Sequence, residues 1–269
     1  MDELHQKQNK LIGILREMGS VAVAFSAGVD STYLLQLAHD TLGERAFAVT
    51  AVTGTFPEKE RREAENFCAG QGVRLVMLRM DVFGIDGFCE NPPDRCYLCK
   101  KELFRRIADA ARENGARFVI EGSNADDKGD YRPGMRAIEE LGVRSPLMEA
   151  GLTKHDVRTL SKEHGLHTWD KPSFACLATR IAYGECITPE KLMMIDNAEQ
   201  RLADLGFRQY RVRMQNGAAR IELLPEDVGK LLSPALRDEI RGYYHQLGFK
   251  YVSLDLDGYR TGSMNAVLE

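Results

Sequence analysis

The sequence predicts a doubly wound α/β fold, a parallel sheet covered by helices on both faces, followed by a smaller C-terminal α+β module. Three observations carry this. Apolar runs of strand length alternate with amphipathic stretches of helix length through the first half, and strands so apolar read as buried on both faces and joined by helical crossovers. From about residue 150 the rhythm changes, and two alternating runs joined by Asn216-Gly217 read as a hairpin. At 269 residues, one large domain or a medium one plus a small one is expected. A boundary near 175–187 is expected, drawn as 1–178 for the α/β domain and 179–269 for the module.

In chain order, VAVAFS (21–26) is the first strand, and STYLLQLAHDTLG (31–43) is a helix with a Gly stop. AFAVTAVTG (46–54) and VRLVML (73–78) are strands on either side of the helix PEKERREAENFCAGQG (57–72), which Pro57 opens. RCYLCKKELFRRIADAARENG (95–115) is a long helix and RFVIEGS (117–123) a fourth strand. LTKHDVRTLSKEHG (152–165) is a helix that Thr153 caps; ITPEKLMMIDNAEQRLADLG (187–206) has Thr188 as cap and Pro189 at its first position. Strands QYRVRMQ (209–215) and AARIELL (218–224), a helix near 234–247 and the strand KYVSLDLDG (250–258) complete the module.

Composition is that of an ordinary globular chain: 43% hydrophobic, 28% charged, net charge −4. That balance argues against a nucleic-acid surface, which shows a basic excess or stripe. The N-terminal stretch lacks a basic segment followed by an apolar run, and no apolar stretch approaches the ~20 residues of a membrane span. The expectation is a cytoplasmic chain with no membrane partner. Six cysteines are too dilute for a disulfide framework.

SAGVDS (26–31) lies between the first strand and the first helix. Backbone N–H groups and the positive end of a helix dipole make an anion site at such a junction. Ser26 and Ser31 add hydroxyls, and small residues admit a phosphate. The pattern GxxxxGK[ST] is absent, so γ-phosphate chemistry of that kind is not indicated; a tight turn capped by Ser or Asp is the alternative. Asn124, Asp126 and Asp127 follow the fourth strand at the sheet edge where ligands bind; they read either as Mg²⁺ ligands over a pyrophosphate or as an Asx-rich turn capping a helix.

The segment Ser26, Ala27, Gly28, Val29, Asp30, Ser31 resembles the PP-loop (SGGxDS) of enzymes that cleave ATP between its α and β phosphates to adenylate a carbonyl or carboxylate, with Ala27 in place of the second Gly. EGSNADDKGDYRPG (121–134), SPLMEAGLTKHDVR (145–158), WDKPSFACLATRIAYG (169–184), RVRMQNGAARIEL (211–223) and LDGYRTGS (256–263) together resemble the LarE family, PP-loop sulfur transferases that build the nickel-pincer nucleotide cofactor of lactate racemase. The resemblance implies an ATP-binding PP-loop (adenine nucleotide α-hydrolase-like) domain and a substrate and oligomerisation module. It also implies adenylation of a pyridinium dicarboxylate mononucleotide and replacement of AMP by sulfur, with ATP and Mg²⁺ as cofactors. Its implied partners are the small nucleotide substrate, other nickel-pincer biosynthesis proteins and further copies of the same chain.

On that reading Cys176 is the nucleophile, since a thiolate attacks an acyl-adenylate, and Lys171 and Arg180 lie near it in sequence to favour ionisation; a small buried hydrophobe is the alternative. Arg180, Arg211 and Arg213 match positions where the family directs basic side chains at the substrate phosphate, for which guanidinium suits. Glu199 and Glu222 match acidic positions of the family. Cys96 and Cys99 form a C-x₂-C pair without a second pair for a closed zinc site. Within the family one mode sacrifices the active-site cysteine, leaving dehydroalanine, and another uses three cysteines on a [4Fe–4S] cluster; Cys96, Cys99 and Cys176 resemble the latter. A tRNA-thiolating PP-loop enzyme, an NAD synthetase-like amidotransferase and a non-catalytic adenine-nucleotide-binding module are the rival readings.

Overall fold

A computed structural model of the chain describes residues 2–127, 133–172, 175–260 and 262–263. Residues 128–132 of the EGSNADDKGDYRPG stretch, Ser173 and Phe174 of KPSFACLATR, and Thr261 of LDGYRTGS lie outside the described residues. The chain divides into two compact units, Met1–Val82 with Cys96–Phe174, and Phe83–Arg95 with Ala175–Glu269.

The first unit holds β1 (Val21–Ala24), β2 (Ala46–Val52), β3 (Leu75–Arg79) and β4 (Phe118–Ile120) in the order β3-β2-β1-β4. Every neighbouring pair is parallel. Strand side chains alternate faces, and this alternation explains the two helix layers. Val21, Val23, Ala46 and Ala48 join one core cluster, whereas Ala22, Phe47, Val49 and Val119 join another. The first face is covered by α1 (Glu3–Met18), α2 (Val29–Leu42), α3 (Glu58–Gln71), α6 (Pro146–Ala150) and α7 (Lys154–Glu163). The second is covered by α4 (Arg95–Glu113) and α5 (Pro133–Glu140), through Phe104, Ile107, Ala111 and Ile138. Each fully buried aliphatic or aromatic side chain contributes about 1.5–3 kcal/mol, so the sheet is stabilised from both sides.

Local signals set the helix ends. Asp2 accepts from the His5 N–H at 3.0 Å to start α1, and Gly19, at φ 74°, stops it. Thr153 and Asp156 form a reciprocal capping box on α7. Pro57 sits one position before α3 as its N-cap.

The second unit carries β5 (Tyr210–Gln215), β6 (Ala218–Leu223) and β7 (Tyr251–Leu254) in that order. β5 and β6 are antiparallel, and the turn between them has Asn216 at φ 50° and Gly217 at φ 77°, the paired left-handed residues of a type I′ turn. β7 runs parallel to β6, so the connection must cross over; α9 (Pro225–Leu231) and α10 (Pro234–Leu247) supply it. α8 (Pro189–Asp204) packs against β5 and starts with the Thr188 cap. Among the described residues, no helix is long and apolar enough to cross a membrane.

Candidate active site

Two constellations of polar residues stand out, one in each unit. In the first, the chain leaves β1 and enters α2 through Ser26, Ala27 and Gly28, the last being the N-cap of α2. Ser31 Oγ donates to the Gly28 carbonyl at 3.3 Å and accepts from the Ser26 N–H at 3.3 Å, and the two serine hydroxyls share a bond of 3.1 Å. The hydroxyls expected to serve a phosphate thus also brace the loop. Ala27 is buried at φ 55°, a left-handed conformation that costs an alanine about 1–2 kcal/mol and a glycine nothing. The position where the PP-loop pattern has glycine is therefore the position where the backbone calls for one.

The strand β4 brings its exit loop against this turn. A Cβ on Gly122 would lie 3.0 Å from the Ser31 nitrogen and 3.3 Å from Asp30 atoms, so any larger residue would require the backbone of the α2 turn to give by a few tenths of an ångström. Asn124 Nδ2 donates to Asp30 Oδ1 at 3.2 Å, and Lys154 Nζ forms an ion pair with Asp30. Asp126 accepts from the Lys154 N–H at 2.8 Å, at the N terminus of α7, and Asp127 accepts from the Asn124 N–H at 3.0 Å. The Asx-turn and helix-capping arrangement is thus what Asn124, Asp126 and Asp127 form, with Asn124 linking it to the anion loop.

Glu60, Glu63 and Glu121 escaped sequence reasoning. Lys171 Nζ donates to the Ala27 carbonyl at 3.0 Å and to Glu60 at 2.7 Å, and forms an ion pair with Glu63. Burial pushes the Glu60 carboxyl above its ordinary value, against the pull of Lys171. Lys171 is thus engaged by the loop carbonyl and two carboxylates. Glu121, buried directly after β4, accepts from the Ser123 N–H at 3.1 Å, the Ser123 hydroxyl at 2.9 Å and the Ser145 hydroxyl. Its position at a strand's carboxyl end was the available signal.

In the second unit Cys176 is exposed and precedes a 3₁₀ turn, Leu177–Arg180. Its carbonyl accepts from the Thr179 N–H at 3.0 Å, the Thr179 hydroxyl at 2.8 Å and Arg180 Nη1 at 3.2 Å. Arg180 therefore contacts the backbone of Cys176. Its guanidinium is 0% exposed and makes a two-pronged pair with Glu199, at 2.9 and 3.0 Å; Glu199 also accepts from the Val212 N–H at 2.9 Å. Arg213 makes the same pairing with Glu222, at 3.0 and 3.1 Å, and donates to the Thr179 carbonyl at 2.8 Å.

Arg211 and Arg213 share a face of β5 as expected, and the hairpin register sets Arg211 opposite Glu222 and Arg213 opposite Arg220. Arg211 lies 5.1 Å from the Tyr259 ring and donates to the Tyr210 carbonyl at 2.6 Å. Burial, and next the positive charge of Arg180, push its guanidinium down to about 10. A buried set of three arginines and two glutamates carries an excess of positive charge, and its two fork-to-fork pairs fix the guanidinium planes.

Cys96 and Cys99 occupy the first turns of α4. Among the described residues no group of three or more His, Cys, Asp or Glu side chains is gathered to hold a metal ion; Cys96 and Cys99 belong to the first unit and Cys176 to the second.

No protein-family model matches the chain. Individual relatives do. It is 38% identical over 269 residues to pyridinium-3,5-bisthiocarboxylic acid mononucleotide synthase of Lactiplantibacillus plantarum, covering 100% of this chain and 97% of that one. It is 39% identical over 265 residues to an uncharacterised protein of Synechocystis sp., covering 98% and 99%. A subunit of the glutamine-hydrolysing GMP synthase of Archaeoglobus fulgidus is 29% identical over 205 residues, 69% of this chain and 66% of the relative. Relatedness along the whole length, with a glycine-capped anion loop at the head of a parallel sheet, places the protein: the chain belongs to the LarE family of PP-loop enzymes, that of pyridinium-3,5-bisthiocarboxylic acid mononucleotide synthase.

Proposed function

We propose that the chain is an ATP-dependent sulfur transferase that adenylates a carboxylate of pyridinium-3,5-dicarboxylate mononucleotide and converts it to a thiocarboxylate, for the nickel-pincer cofactor of lactate racemase. The observation that carries this reading is full-length relatedness to a synthase whose product is named for that chemistry. The α2 N terminus supports the ATP half, since its unsatisfied N–H groups and dipole favour phosphate. Asp30 and one of Asp126 and Asp127 would hold Mg²⁺ against the pyrophosphate, whose charge the ion neutralises.

The second unit supports the sulfur half. Arg211 and Arg213 receive the substrate phosphate, and Glu199 and Glu222 hold the guanidinium planes of Arg180 and Arg213. The Cys176 thiolate adds to the carbonyl carbon of the acyl-adenylate, and the bond to AMP breaks to give a thioester. A base then removes the Cys176 Cα proton. The Cβ–S bond breaks with its electron pair on sulfur, which leaves a thiocarboxylate on the product and dehydroalanine at 176. Family resemblance further supports a homo-oligomer that works with other nickel-pincer biosynthesis proteins.

The test is intact-protein mass after anaerobic turnover with Mg-ATP and the mononucleotide, beside an iron and sulfide assay. Loss of the elements of one H₂S from the Cys176 peptide in iron-free protein is expected. Unchanged mass with bound iron and continued product would instead make Cys176 a cluster ligand with Cys96 and Cys99. Absence of both AMP and thiocarboxylate would overturn the reading.

A further inference from the structure

The segment 83–95 interrupts the first unit in sequence and belongs to the second. Its polar side chains converge on the backbone that follows Cys176. Asn91 is 0% exposed and sits at φ 56°. Its Nδ2 donates to the carbonyls of Ile181 at 3.2 Å and Ala182 at 2.7 Å, while its own carbonyl accepts from the Gly184 N–H at 3.0 Å. Its Oδ1 accepts from Arg95, whose guanidinium donates also to the Ala178 carbonyl at 3.3 Å and lies 5.5 Å from the Tyr183 ring. The Cys89 carbonyl adds a bond from the Ile187 N–H at 2.8 Å.

A left-handed, buried position is ordinarily taken by glycine. Asparagine tolerates that conformation and adds an amide that reaches two carbonyls. Those carbonyls belong to the stretch that follows the Cys176 turn, and Arg95 fixes Ala178, two residues from the thiol. Arg180 holds the Ala175 and Cys176 carbonyls, at 2.7 and 3.2 Å. The thiol is exposed, yet the backbone on both sides of it is fixed by buried donors, an arrangement that orients a nucleophile before its substrate arrives.

We propose that Asn91 and Arg95 are positioning residues for the Cys176 thiol in the sulfur-transfer step. This rests on the reading of Cys176 as the sulfur-bearing nucleophile. They act through the 178–182 backbone, so they govern the rate of C–S bond formation and leave the affinities for ATP and the mononucleotide alone.

The test uses full-length Asn91→Gly, which keeps the left-handed backbone and removes only the amide, and Arg95→Lys, which keeps the charge and loses the fork. Three quantities are measured anaerobically: the single-turnover rate of thiocarboxylate formation, the concentration of each substrate that gives half the maximal single-turnover rate (its KM), and the rate of Cys176 alkylation by iodoacetamide from neutral to alkaline pH, with glutathione as reference thiol. The expected result is a sulfur step slower by about tenfold to a hundredfold. KM should stay within about twofold, and the alkylation profile of Cys176 should change. Both variants forming product at the parental rate, with the parental alkylation profile, would overturn the proposal. So would a loss confined to KM. Thiocarboxylate formation by Cys176→Ser at the parental rate would remove the premise, and it is distinguishable because the alkylation profiles of Asn91→Gly and Arg95→Lys do not depend on catalysis.

Discussion

Between Gly122 and the first turn of α2 a methyl group would be a tight fit. A Cβ there would meet the Ser31 nitrogen at 3.0 Å, and that neighbour is backbone at the head of the anion loop. Gly122→Ala is expected to destabilise by about 1–3 kcal/mol and to reduce pyrophosphate release by about tenfold or more; a thermal melt and a pyrophosphate assay check both. The arginine cluster obeys a different rule. Removing one member of a buried pair strands the other charge, so Glu222→Ala is expected to cost about 3–5 kcal/mol, while the double replacement Arg213→Met with Glu222→Leu stays much nearer to neutral. Denaturant midpoints of the two proteins test this. Sequence position told that Arg211 and Arg213 share a strand face, because period two is all that inference needs. It did not tell that Lys171 and Arg180, read as aids to Cys176 ionisation, are engaged by Glu60, Glu63 and Glu199, since those partners lie far along the chain.

At the scale of elements, α3 carries a buried titratable group that the proposed chemistry does not use. Burial pushes the Cys68 thiol up from its ordinary value near 9 to about 12. A raised pKa means the native state holds a proton that the unfolded chain releases. Stability from this source is complete below the unfolded value and falls as pH rises from about 9 toward 12, at up to about 1.4 kcal/mol per pH unit. Denaturant midpoints measured across that range are expected to fall more steeply for the parent than for Cys68→Ala; parallel curves would exclude the effect.

Most of the long periodic elements were legible in advance. α3, α4 and α8, the Thr153 and Thr188 caps and the Asn216-Gly217 turn all follow from local rules, which survive tertiary packing when pattern and caps agree. The helices α1, α5, α6 and α9 were not assigned. The last three have eight residues or fewer, too few for periodicity to register and too few to be stable without tertiary support; α1 has 16, and its sequence reads only as an amphipathic N-terminal stretch. The parallel pairing of β7 with β6 also lay beyond the sequence pattern, because alternation sets faces and not partners.

At the scale of the whole molecule, the proposed function divides its chemistry between the two units. On that reading the N–H groups at the head of α2 in the first unit serve a triphosphate, and the exposed Cys176 thiol and the buried guanidinium cluster of the second serve sulfur transfer. The segment 83–95 shows why chain order is a poor guide to such a division: it precedes α4 in sequence yet packs with residues beyond 175, and the contacts responsible, such as Asn91 with Ile181, span 90 positions. The division makes a kinetic prediction. Arg211→Met removes a buried cation whose affinity for its proton is already lowered by burial and by Arg180, so the protein gains relief from like-charge repulsion while a bound phosphate loses its counter-charge. The expected outcome is a KM for the mononucleotide raised by about tenfold or more, with KM for ATP unchanged and thermal stability equal or higher, since charge-assisted bonds to phosphate contribute about 1.5–3 kcal/mol. Single-turnover rates with each substrate varied in turn supply the check, KM being the concentration that gives half the maximal rate. A parallel rise in both KM values would mean that Arg211 supports the fold of its unit; a selective rise with a stable protein would mark it as a ligand of the substrate phosphate.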